Sequence, residues 1–245
     1  MSHRYFTDRV EGDRAFLCGE EAAHLARVLR AAPGDEVTLC DGAGTDFAAR
    51  VVRADPREVE LAIISSGPSV SEPPLAVTLF VGMPKGEKLE WIIQKSTELG
   101  AAEIIPFTSR FCIAKPKNEE VKRARFGRIA KEAAKQSGRG RIPAIGGAIS
   151  FAALCDRIGE YDLALFCYEG GGEALAPGTP LHSRLEGAHS VAIITGAEGG
   201  FAEEEAARAK EAGAVLIGLG PRILRCETAP LAALCAVMTL TGNLS

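Results

Sequence analysis

The chain has 245 residues, and 28 lysines and arginines stand against 32 aspartates and glutamates, which gives a net charge of −4. This composition is typical of a globular protein with a core of one large or two modest domains, and its acidic balance gives no sign of nucleic-acid binding. The longest apolar run, Ala229 to Leu240, is shorter than the roughly 20 residues that span a bilayer. With no secretory signal either, we expect a cytoplasmic protein without a membrane segment. The 7 cysteines are odd in number and none has Cys-x-x-Cys spacing, which argues against a disulfide framework and a metal site.

The first part of the chain predicts a small β-barrel, which we assign to residues 1–70. A helix is predicted over Glu20 to Arg30, and alternating segments predict strands over Glu36 to Cys40, Phe47 to Arg53 and Val59 to Ile64. The basic residues of this part are arginines, which suit phosphate and base contacts better than lysines. The turn-forming run Ser65 to Pro74 predicts a linker.

Residues 75–245 predict an α/β domain with a mainly parallel sheet. Buried-strand patterns alternate with helical patterns along this part. The predicted strands are Leu75 to Val81, Glu103 to Phe107, Leu163 to Tyr168, Val191 to Ile194 and Ala214 to Ile217. The predicted helices include Lys88 to Leu99, Glu119 to Gln136 and Phe151 to Ile158.

Two glycine-bearing loops follow the last two strands, Thr195 to Phe201 and Gly218 to Ala229. Successive strand–loop–helix units place both loops at one end of a parallel sheet, where open α/β folds bind ligands. Glycines permit close backbone approach, so we expect the loops to hold a ligand through their amides. The spacing is neither Gly-x-Gly-x-x-Gly nor that of a Walker loop, which disfavours dinucleotide-dependent hydride transfer and phosphoryl transfer.

The second loop carries two arginines, Arg222 and Arg225, on either side of an apolar Ile-Leu pair. Thr228 is compatible with a helix cap and Glu227 with the positive end of the last helix. Neither role accounts for the arginines. A basic segment between Lys115 and Arg141 carries ten basic residues against three acidic ones, so it suits either phosphate binding or a solvated helix face.

The loops resemble the signature loops of a bacterial family that methylates N3 of a uridine in 16S ribosomal RNA, within the SPOUT superfamily. The resemblance rests on Gly196-x-Glu198-Gly-Gly-Phe201 and Leu219-Gly-Pro-Arg-Ile-Leu-Arg-x-Glu-Thr-Ala229. It extends to Lys85-Gly-x-Lys-Leu-Glu-Trp-Ile-Ile-Gln-Lys-x-Thr-Glu-Leu-Gly100 and Gln136-Ser-x-Arg139. His24-Leu-x-x-Val-Leu-Arg30 resembles part of the family's PUA-like RNA-binding domain.

The resemblance implies an N-terminal PUA-like barrel and a C-terminal SPOUT domain with a deep trefoil knot, although knots are very rare. It implies a homodimer that binds S-adenosylmethionine, releases S-adenosylhomocysteine and uses no metal. The substrate would be uridine 1498 in standard numbering, in 16S rRNA or the small ribosomal subunit. The apolar run Ala229 to Leu240 suits a helix buried against its own domain and a partner. The cofactor-binding residues expected are Thr195, Gly196, Gly199, Gly200, Leu219, Gly220, Ile223, Leu224, Thr228 and Ala229.

The chemistry of N3 methylation suggests roles for three further side chains. Uridine N3 must lose a proton, and a cation near O2 or O4 would stabilise the anion, which is the role predicted for Arg225 first and Arg222 second. Glu198 is a candidate proton acceptor because it has no basic neighbour in its loop, although a structural loop carboxylate is an equal alternative. The RNA contacts predicted are Arg4, Arg27, Arg30, Lys85, Lys88 and Arg139.

Two other functions remain open at this point: a ribose 2′-hydroxyl methyltransferase of the same superfamily, and a non-catalytic RNA-binding factor in ribosome assembly. The intact glycines and arginines argue against the second. Four positions depart from the usual family pattern and leave the fine substrate preference open: Thr195, Ala197, Cys226 and Lys135.

Overall fold

The computed structural model describes residues 4–7, 9–113 and 119–244, so Lys115 and Lys117 of the basic segment lie outside the described residues. The chain divides into two compact units. The N-terminal unit comprises Met1–Glu72 and Ala134–Ile142, and the C-terminal unit comprises Pro73–Ala133 and Pro143–Ser245. The predicted domain limits, 1–70 and 75–245, place the segment Ala134–Ile142 differently from this division.

The N-terminal unit is built on one curled six-stranded sheet. Its elements are β1 (Arg4–Phe6), β2 (Arg9–Glu11), β3 (Arg14–Cys18), α1 (Gly19–Ala23), β4 (Glu36–Cys40), β5 (Thr45–Ala54) and β6 (Glu58–Pro68). The strand order is β1-β4-β5-β6-β3-β2, and only the β1–β4 pair is parallel. Thr7 joins the two ends of the sheet, because its amide donates to the Cys40 carbonyl at 2.9 Å and its hydroxyl to the Phe16 carbonyl at 2.7 Å. The predicted barrel is therefore present.

The predicted helix Glu20 to Arg30 is present as two pieces. After α1, the chain continues as a π-helical turn over His24–Val28. Leu25 inside this turn is buried in the barrel core, while Arg27, Val28 and Arg30 face solvent. Arg30 has a φ of 54°, a backbone conformation that is uncommon for a residue other than glycine.

The predicted linker Ser65 to Pro74 is wrong over its first half. Strand β6 runs through Pro68, and Ser65 pairs with Ala48 while Pro68 pairs with Thr45. Two register irregularities in the β5–β6 ribbon let the strands stay paired over this length. Turn-forming residues indicated a break here, but the edge of a bulged ribbon accepts serine, glycine and proline.

Glu72 fastens the segment Ala134–Ile142 to the N-terminal unit. Its Oε2 accepts from Arg139 Nη2 at 2.6 Å, and its Oε1 accepts from Arg139 Nε and from the amides of Gly140 and Arg141 at 3.3, 2.9 and 3.0 Å. The Arg139 side chain is only 4% exposed. The predicted RNA contact through Arg139 is therefore corrected, since this guanidinium is used inside the protein.

The C-terminal unit has an eight-stranded sheet in which every described pair is parallel. Its strands are β7 (Ala76–Gly82), β8 (Glu103–Thr108), β9 (Ala144–Ile145), β10 (Ile149–Ser150), β11 (Leu163–Cys167), β12 (Glu173–Ala174), β13 (Ser190–Thr195) and β14 (Val215–Gly218). The order is β10-β8-β7-β13-β11-β14-β12, with β9 also paired to β8. The predicted α/β class with a parallel sheet is confirmed. The knot is a matter of how the chain is threaded and stays a prediction.

In the part of this unit that the structure describes, six α-helices accompany the sheet: α2 (Lys88–Glu98), α3 (Glu119–Ser137), α4 (Phe151–Arg157), α5 (Pro180–Glu186), α6 (Glu203–Glu211) and α7 (Ala229–Leu240). The last turn of α3 belongs to the N-terminal unit by the division above. The central strands β7 and β13 are buried at every residue after the first, as their continuous apolar runs predict. Phenylalanines from strand ends, a helix and a loop fill one side of the core: Phe107, Phe151, Phe166 and Phe201.

Candidate functional site: a glycine-lined cavity at the ends of three strands

Three neighbouring parallel strands, β13, β11 and β14, end at one edge of the sheet. A cavity of about 560 Å³ opens at this edge, a size typical of small-molecule sites. Both glycine loops line it, so the sequence correctly placed them together. The predicted cofactor-binding residues that line the cavity are Thr195, Gly196, Gly200, Leu219, Gly220, Ile223, Leu224 and Ala229.

The first loop is a tight turn anchored at both ends. The Gly200 amide donates to the Ala197 carbonyl at 3.0 Å, and Gly200 has a φ of 63°. Phe201 leaves the turn into the aromatic core, with its ring centroid 4.2 Å from that of Phe166. A Cβ on Gly82, at the end of β7, would lie 2.7 Å from the Gly196 carbonyl carbon, so the loop packs directly on bare backbone.

Two predicted cofactor residues have other surroundings. Gly199 faces Phe111, because a Cβ there would lie 2.6 Å from the Phe111 Cβ. Thr228 precedes α7 and makes no side-chain cap, so the predicted capping role is wrong. Its amide donates to the Arg225 carbonyl at 2.8 Å and its carbonyl accepts from Ala232, which joins the second loop to the helix through the backbone.

A third loop, after β11, was missed by the sequence analysis. Cys167, Tyr168, Glu169 and Gly171 line the cavity between the two predicted loops. The sequence does contain a signal for this loop, because a glutamate and three glycines directly follow the predicted strand Leu163 to Tyr168. The order of the strands, with β11 between β13 and β14, is what brings this loop to the site.

Arg222 and Arg225 both line the cavity and both are exposed. Neither guanidinium has a carboxylate partner among the residues that the structure describes. Ile223 between them is 86% exposed, an unusual position for an isoleucine. The second loop thus offers two available cations and an apolar side chain at the mouth of one cavity.

Glu198 has a basic neighbour, Lys88, which comes from helix α2 and not from its own loop. Lys88 Nζ lies 3.0 Å from Glu198 Oε1, and the Lys85 amide donates to the same oxygen at 3.1 Å. Burial raises the pKa of Glu198, but hydrogen bonds from backbone amides and from Lys88 outweigh it and lower the pKa to about 2. A carboxylate this acidic is a poor proton acceptor near neutral pH.

Lys88 also reaches the second loop, where its Nζ lies 3.3 Å from Glu227 Oε2 and 3.6 Å from Cys226 Sγ. The hydrogen bond that Lys88 donates to Glu198 raises the pKa of Lys88, so it stays charged. Burial raises the pKa of Cys226 to about 12, and the neighbouring carboxylates act in the same direction. The thiol is therefore neutral and unsuited to act as a nucleophile. The predicted RNA contact through Lys88 is corrected to an ion pair within the protein.

The remaining predicted RNA contacts differ in availability. Arg27, Arg30 and Lys85 are exposed, with no side-chain partner among the described residues. The Arg4 side chain is 15% exposed and pairs with Asp46 at 2.7 Å, and it also donates to Ser69 at 3.2 Å. The Arg4 guanidinium is therefore already engaged within the N-terminal unit, unlike those of Arg27 and Arg30.

Across the described ranges, no group of three or more histidine, cysteine, aspartate or glutamate side chains is arranged to hold a metal ion. Over the same residues, no helix has the length and apolar character to cross a membrane.

Comparison with known protein families decides what kind of protein this is. Residues 71–238 match the model of the RNA methyltransferase domain, and residues 17–64 match that of the RNA methyltransferase PUA domain. Ribosomal RNA small subunit methyltransferase E of Bacillus subtilis is 37% identical over 243 residues, covering 96% of this chain and 95% of that protein. This chain belongs to the same family. The resemblance read from the sequence is confirmed.

Other members of the family are similar over almost the whole chain. The Mycobacterium tuberculosis protein of the same name is 33% identical over 95% of this chain and 88% of its own length. A crystal structure of the Neisseria gonorrhoeae member bound to S-adenosylmethionine superposes with a TM-score of 0.83, at 29% identity and 98% coverage of each chain. A Legionella pneumophila methyltransferase in complex with the same cofactor gives 0.79, also at 29% identity and 98% coverage.

Proposed function

We propose that this chain transfers a methyl group from S-adenosylmethionine to N3 of a single uridine in 16S rRNA, uridine 1498 in standard numbering. Membership in the RNA methyltransferase family supports the reaction class. The observation that carries the assignment is the cavity itself, in which two unpaired arginines meet three glycine-bearing loops. The expected place of action is the cytoplasm, where the ribosomal subunits are.

The residues of the cavity fit the cofactor. The Thr195 hydroxyl oxygen is buried and has no hydrogen-bond partner among the residues that the structure describes, so the site contains a polar group that a ligand can satisfy. Leu219, Ile223 and Leu224 supply apolar surface for an adenine, and the loop glycines give access to backbone amides. When bound, S-adenosylmethionine supplies the methyl group of its sulfonium centre, and the sulfur becomes a neutral thioether once the methyl group has been transferred. Two family members, from Neisseria and Legionella, were solved with this cofactor.

Arg225 and Arg222 are proposed to stabilise the uracil anion. Attack by N3 requires loss of its proton, and negative charge then develops on O2 and O4. A guanidinium aimed at one of these oxygens stabilises that charge without reorganisation.

The proton-acceptor role is reassigned within the same cavity. Glu198 is engaged by Lys88 and by a backbone amide, and its pKa is too low for efficient proton transfer at neutral pH. Glu169, from the third loop, is the other carboxylate of the cavity lining, and no described cation pairs with it. We assign the acceptor role to Glu169. Glu169→Gln should then lower the methylation rate, and the affinity for S-adenosylmethionine should change little.

For RNA binding we retain Arg27, Arg30 and Lys85, whose side chains are exposed. Arg4, Lys88 and Arg139 are not retained as direct contacts, because each is held by a carboxylate of its own unit.

We also propose a homodimer that uses α7. One face of this helix is buried within its own unit, through Pro230, Ala233, Leu234, Val237 and Met238. The opposite face is also apolar but only partly covered, through Leu231, Ala232, Cys235 and Ala236. A second copy of the chain would cover it. Light scattering should give twice the chain mass, and Ala236→Arg should halve it.

Primer extension on 16S rRNA tests the substrate assignment. N3 methylation removes a Watson–Crick donor, so reverse transcriptase should stop beside the methylated uridine when the gene is intact. The stop should vanish in a deletion strain and return with the wild-type gene, but not with an Arg225→Ala copy. A stop that persists in the deletion strain contradicts the proposal.

Mass spectrometry of the nucleosides separates the alternatives. A methyl group on the ribose would identify a 2′-hydroxyl methyltransferase. Calorimetry with S-adenosylmethionine addresses the third function, because absence of binding heat would identify a non-catalytic RNA-binding factor.

A further inference from the structure

Lys88 stands where helix α2 meets both signature loops. It is the first residue of the helix, and its neighbours Leu89, Ile92 and Ile93 are buried, so the base of its side chain is fixed to the core. From there its ammonium contacts Glu198 of the first loop and Glu227 of the second at 3.0 and 3.3 Å. A single cation therefore joins two loops to one rigid helix.

The charges around this cation explain why it is needed. Glu198 and Glu227 both approach the same point, and like charges this close would repel each other. The Cys226 thiol adds no charge, and it donates to Glu227 Oε2 at 3.2 Å. On the solvent side, an open groove shared by Lys88 and Glu227 also holds Glu87, Glu90 and Trp91. Glu87 and Glu90 have their own cation, Arg125, at 3.9 and 2.7 Å. Without Lys88, Glu198 and Glu227 would lose the cation that they share.

We propose that Lys88 is a positioning residue that holds the two cofactor loops in register, rather than a contact to RNA. The inference deepens the proposed function and rests on it, because the ligand whose binding it controls is S-adenosylmethionine. Glu198 lies on the first loop, whose glycine turn lines the cavity, so its release from Lys88 would loosen that turn. Glu227 lies on the second loop, which brings Arg225 to the cavity, so its release would loosen the position of this arginine.

The test compares Lys88→Met with Lys95→Met by titration calorimetry against S-adenosylmethionine, without RNA. Lys95 is a matched control on the same helix, since it pairs with Glu98 at 2.7 Å and its side chain is 36% exposed against 33% for Lys88. We expect Lys88→Met to weaken binding about tenfold, the equivalent of one charge-assisted contact. Lys95→Met should leave binding unchanged, and Lys88→Arg should restore most of the loss.

The pH profile of binding adds a readout that a merely structural role would not move. In the wild type, Glu198 has a pKa of about 2 against an ordinary value of 4.5. The ion pair should therefore persist, and affinity stay flat, as the pH falls from about 7 to about 4. In Lys88→Met, the pKa of Glu198 should rise above that of the wild type, while the backbone hydrogen bonds still hold it below 4.5, so the acid limb of binding should move to higher pH. The charged or titratable groups around Glu198 here are Lys88, Cys226 and Glu227, with Glu87, Glu90 and their partner Arg125 across the groove.

Glu198→Gln provides a second route that does not depend on the folding of Lys88→Met. It removes the negative partner on the first loop and should by itself weaken S-adenosylmethionine binding. Where Lys88→Met folds, the double variant should show no further loss. The proposal is overturned if Lys88→Met binds the cofactor as the wild type does and only the KM for RNA rises, because that result would return Lys88 to the RNA interface. If the wild type itself shows no cofactor binding, the proposed function has failed instead.

Discussion

The arginines of the barrel and those of the glycine-lined cavity have opposite surroundings. In the barrel, most of the arginines pair with carboxylates on other strands of the sheet, as Arg4, Arg9, Arg14, Arg50 and Arg53 do. In the cavity, Arg222 and Arg225 have no carboxylate partner among the described residues. The arginines of the barrel unit that are exposed and pair with no described carboxylate are Arg27, Arg30, Arg57 and Arg141.

This difference distinguishes arginines that stabilise the fold from arginines that are available to a ligand, which the sequence alone does not do. A paired guanidinium has already used its charge, so its removal should affect stability. An unpaired one on a concave surface keeps its charge for a ligand, so its removal should affect rate or affinity. Four substitutions test whether pairing with a carboxylate decides if an arginine affects stability or affects rate and affinity.

The largest expected effect is on stability, from Arg139→Met. Arg139 is nearly buried and its partner Glu72 accepts from two backbone amides as well. Removing one partner of a buried ion pair leaves an uncompensated charge and costs about 3–5 kcal/mol. Urea denaturation should show the loss, and hydrogen exchange should localise it to Ser69–Glu72 and Gly140–Ile142. An unchanged free energy of unfolding would contradict the structural role of this pair.

Arg225→Ala should have the next largest effect, and on rate alone. Removal of one preorganised donor to a developing anion typically lowers kcat by about 10²–10³-fold. Affinity for S-adenosylmethionine should stay within about twofold, because the glycine loops hold the cofactor through backbone groups. Single-turnover methylation with calorimetry on the same samples measures both. Arg208→Ala, an exposed arginine on α6 outside the cavity lining, is the control. Equal losses of rate and cofactor affinity would place Arg225 in the cofactor site.

Arg27→Ala should act on RNA affinity by a smaller amount. A phosphate contact removed from an interface weakens binding several-fold and reduces the salt slope of log Kd by about one. Filter binding over a range of salt concentrations gives both numbers. Arg53→Ala makes the matched comparison, since Arg53 lies on the same barrel but pairs with Glu58 and Glu60. If both variants lose RNA affinity equally, partner status does not predict function here.

Arg50→Met should have the smallest effect. Its pair with Glu36 is close, at 2.7 Å, but the side chains are 54% and 63% exposed. Exposed ion pairs contribute about 0–1 kcal/mol. The urea midpoint should therefore shift far less than in Arg139→Met. A shift of similar size would mean that burial is not what distinguishes the two pairs.

The sequence predicted regular structure well where local patterns determine it. Strand β4 and helix α7 have the predicted bounds, because a strict alternation and a continuous apolar run allow few other structures. The linker was misplaced where β6 continues through Pro68. Bulges in a long ribbon tolerate residues that usually form turns, and no local pattern marks them.

The sequence predicted those features of the candidate site that lie within a single loop. The two loops and their arginines meet as expected, but the third loop depends on the strand order, which one sequence does not determine. The corrections to Glu198, Lys88 and Arg139 share one cause. Their partners lie 110 residues away in the first two cases and 67 in the third, so no local window contains both charges.

The position of Thr7 has a consequence for how the molecule behaves in a crowded solution. A sheet that ends in free strands carries unsatisfied amides and carbonyls, which can template the addition of a foreign strand. Here the two terminal strands, β1 and β2, flank Thr7 in the chain, and Thr7 bonds to the strands that follow them in the sheet. Thr7 thereby ties the segment between the two terminal strands to the sheet, which limits the freedom of β1 and β2 to pair with a foreign strand.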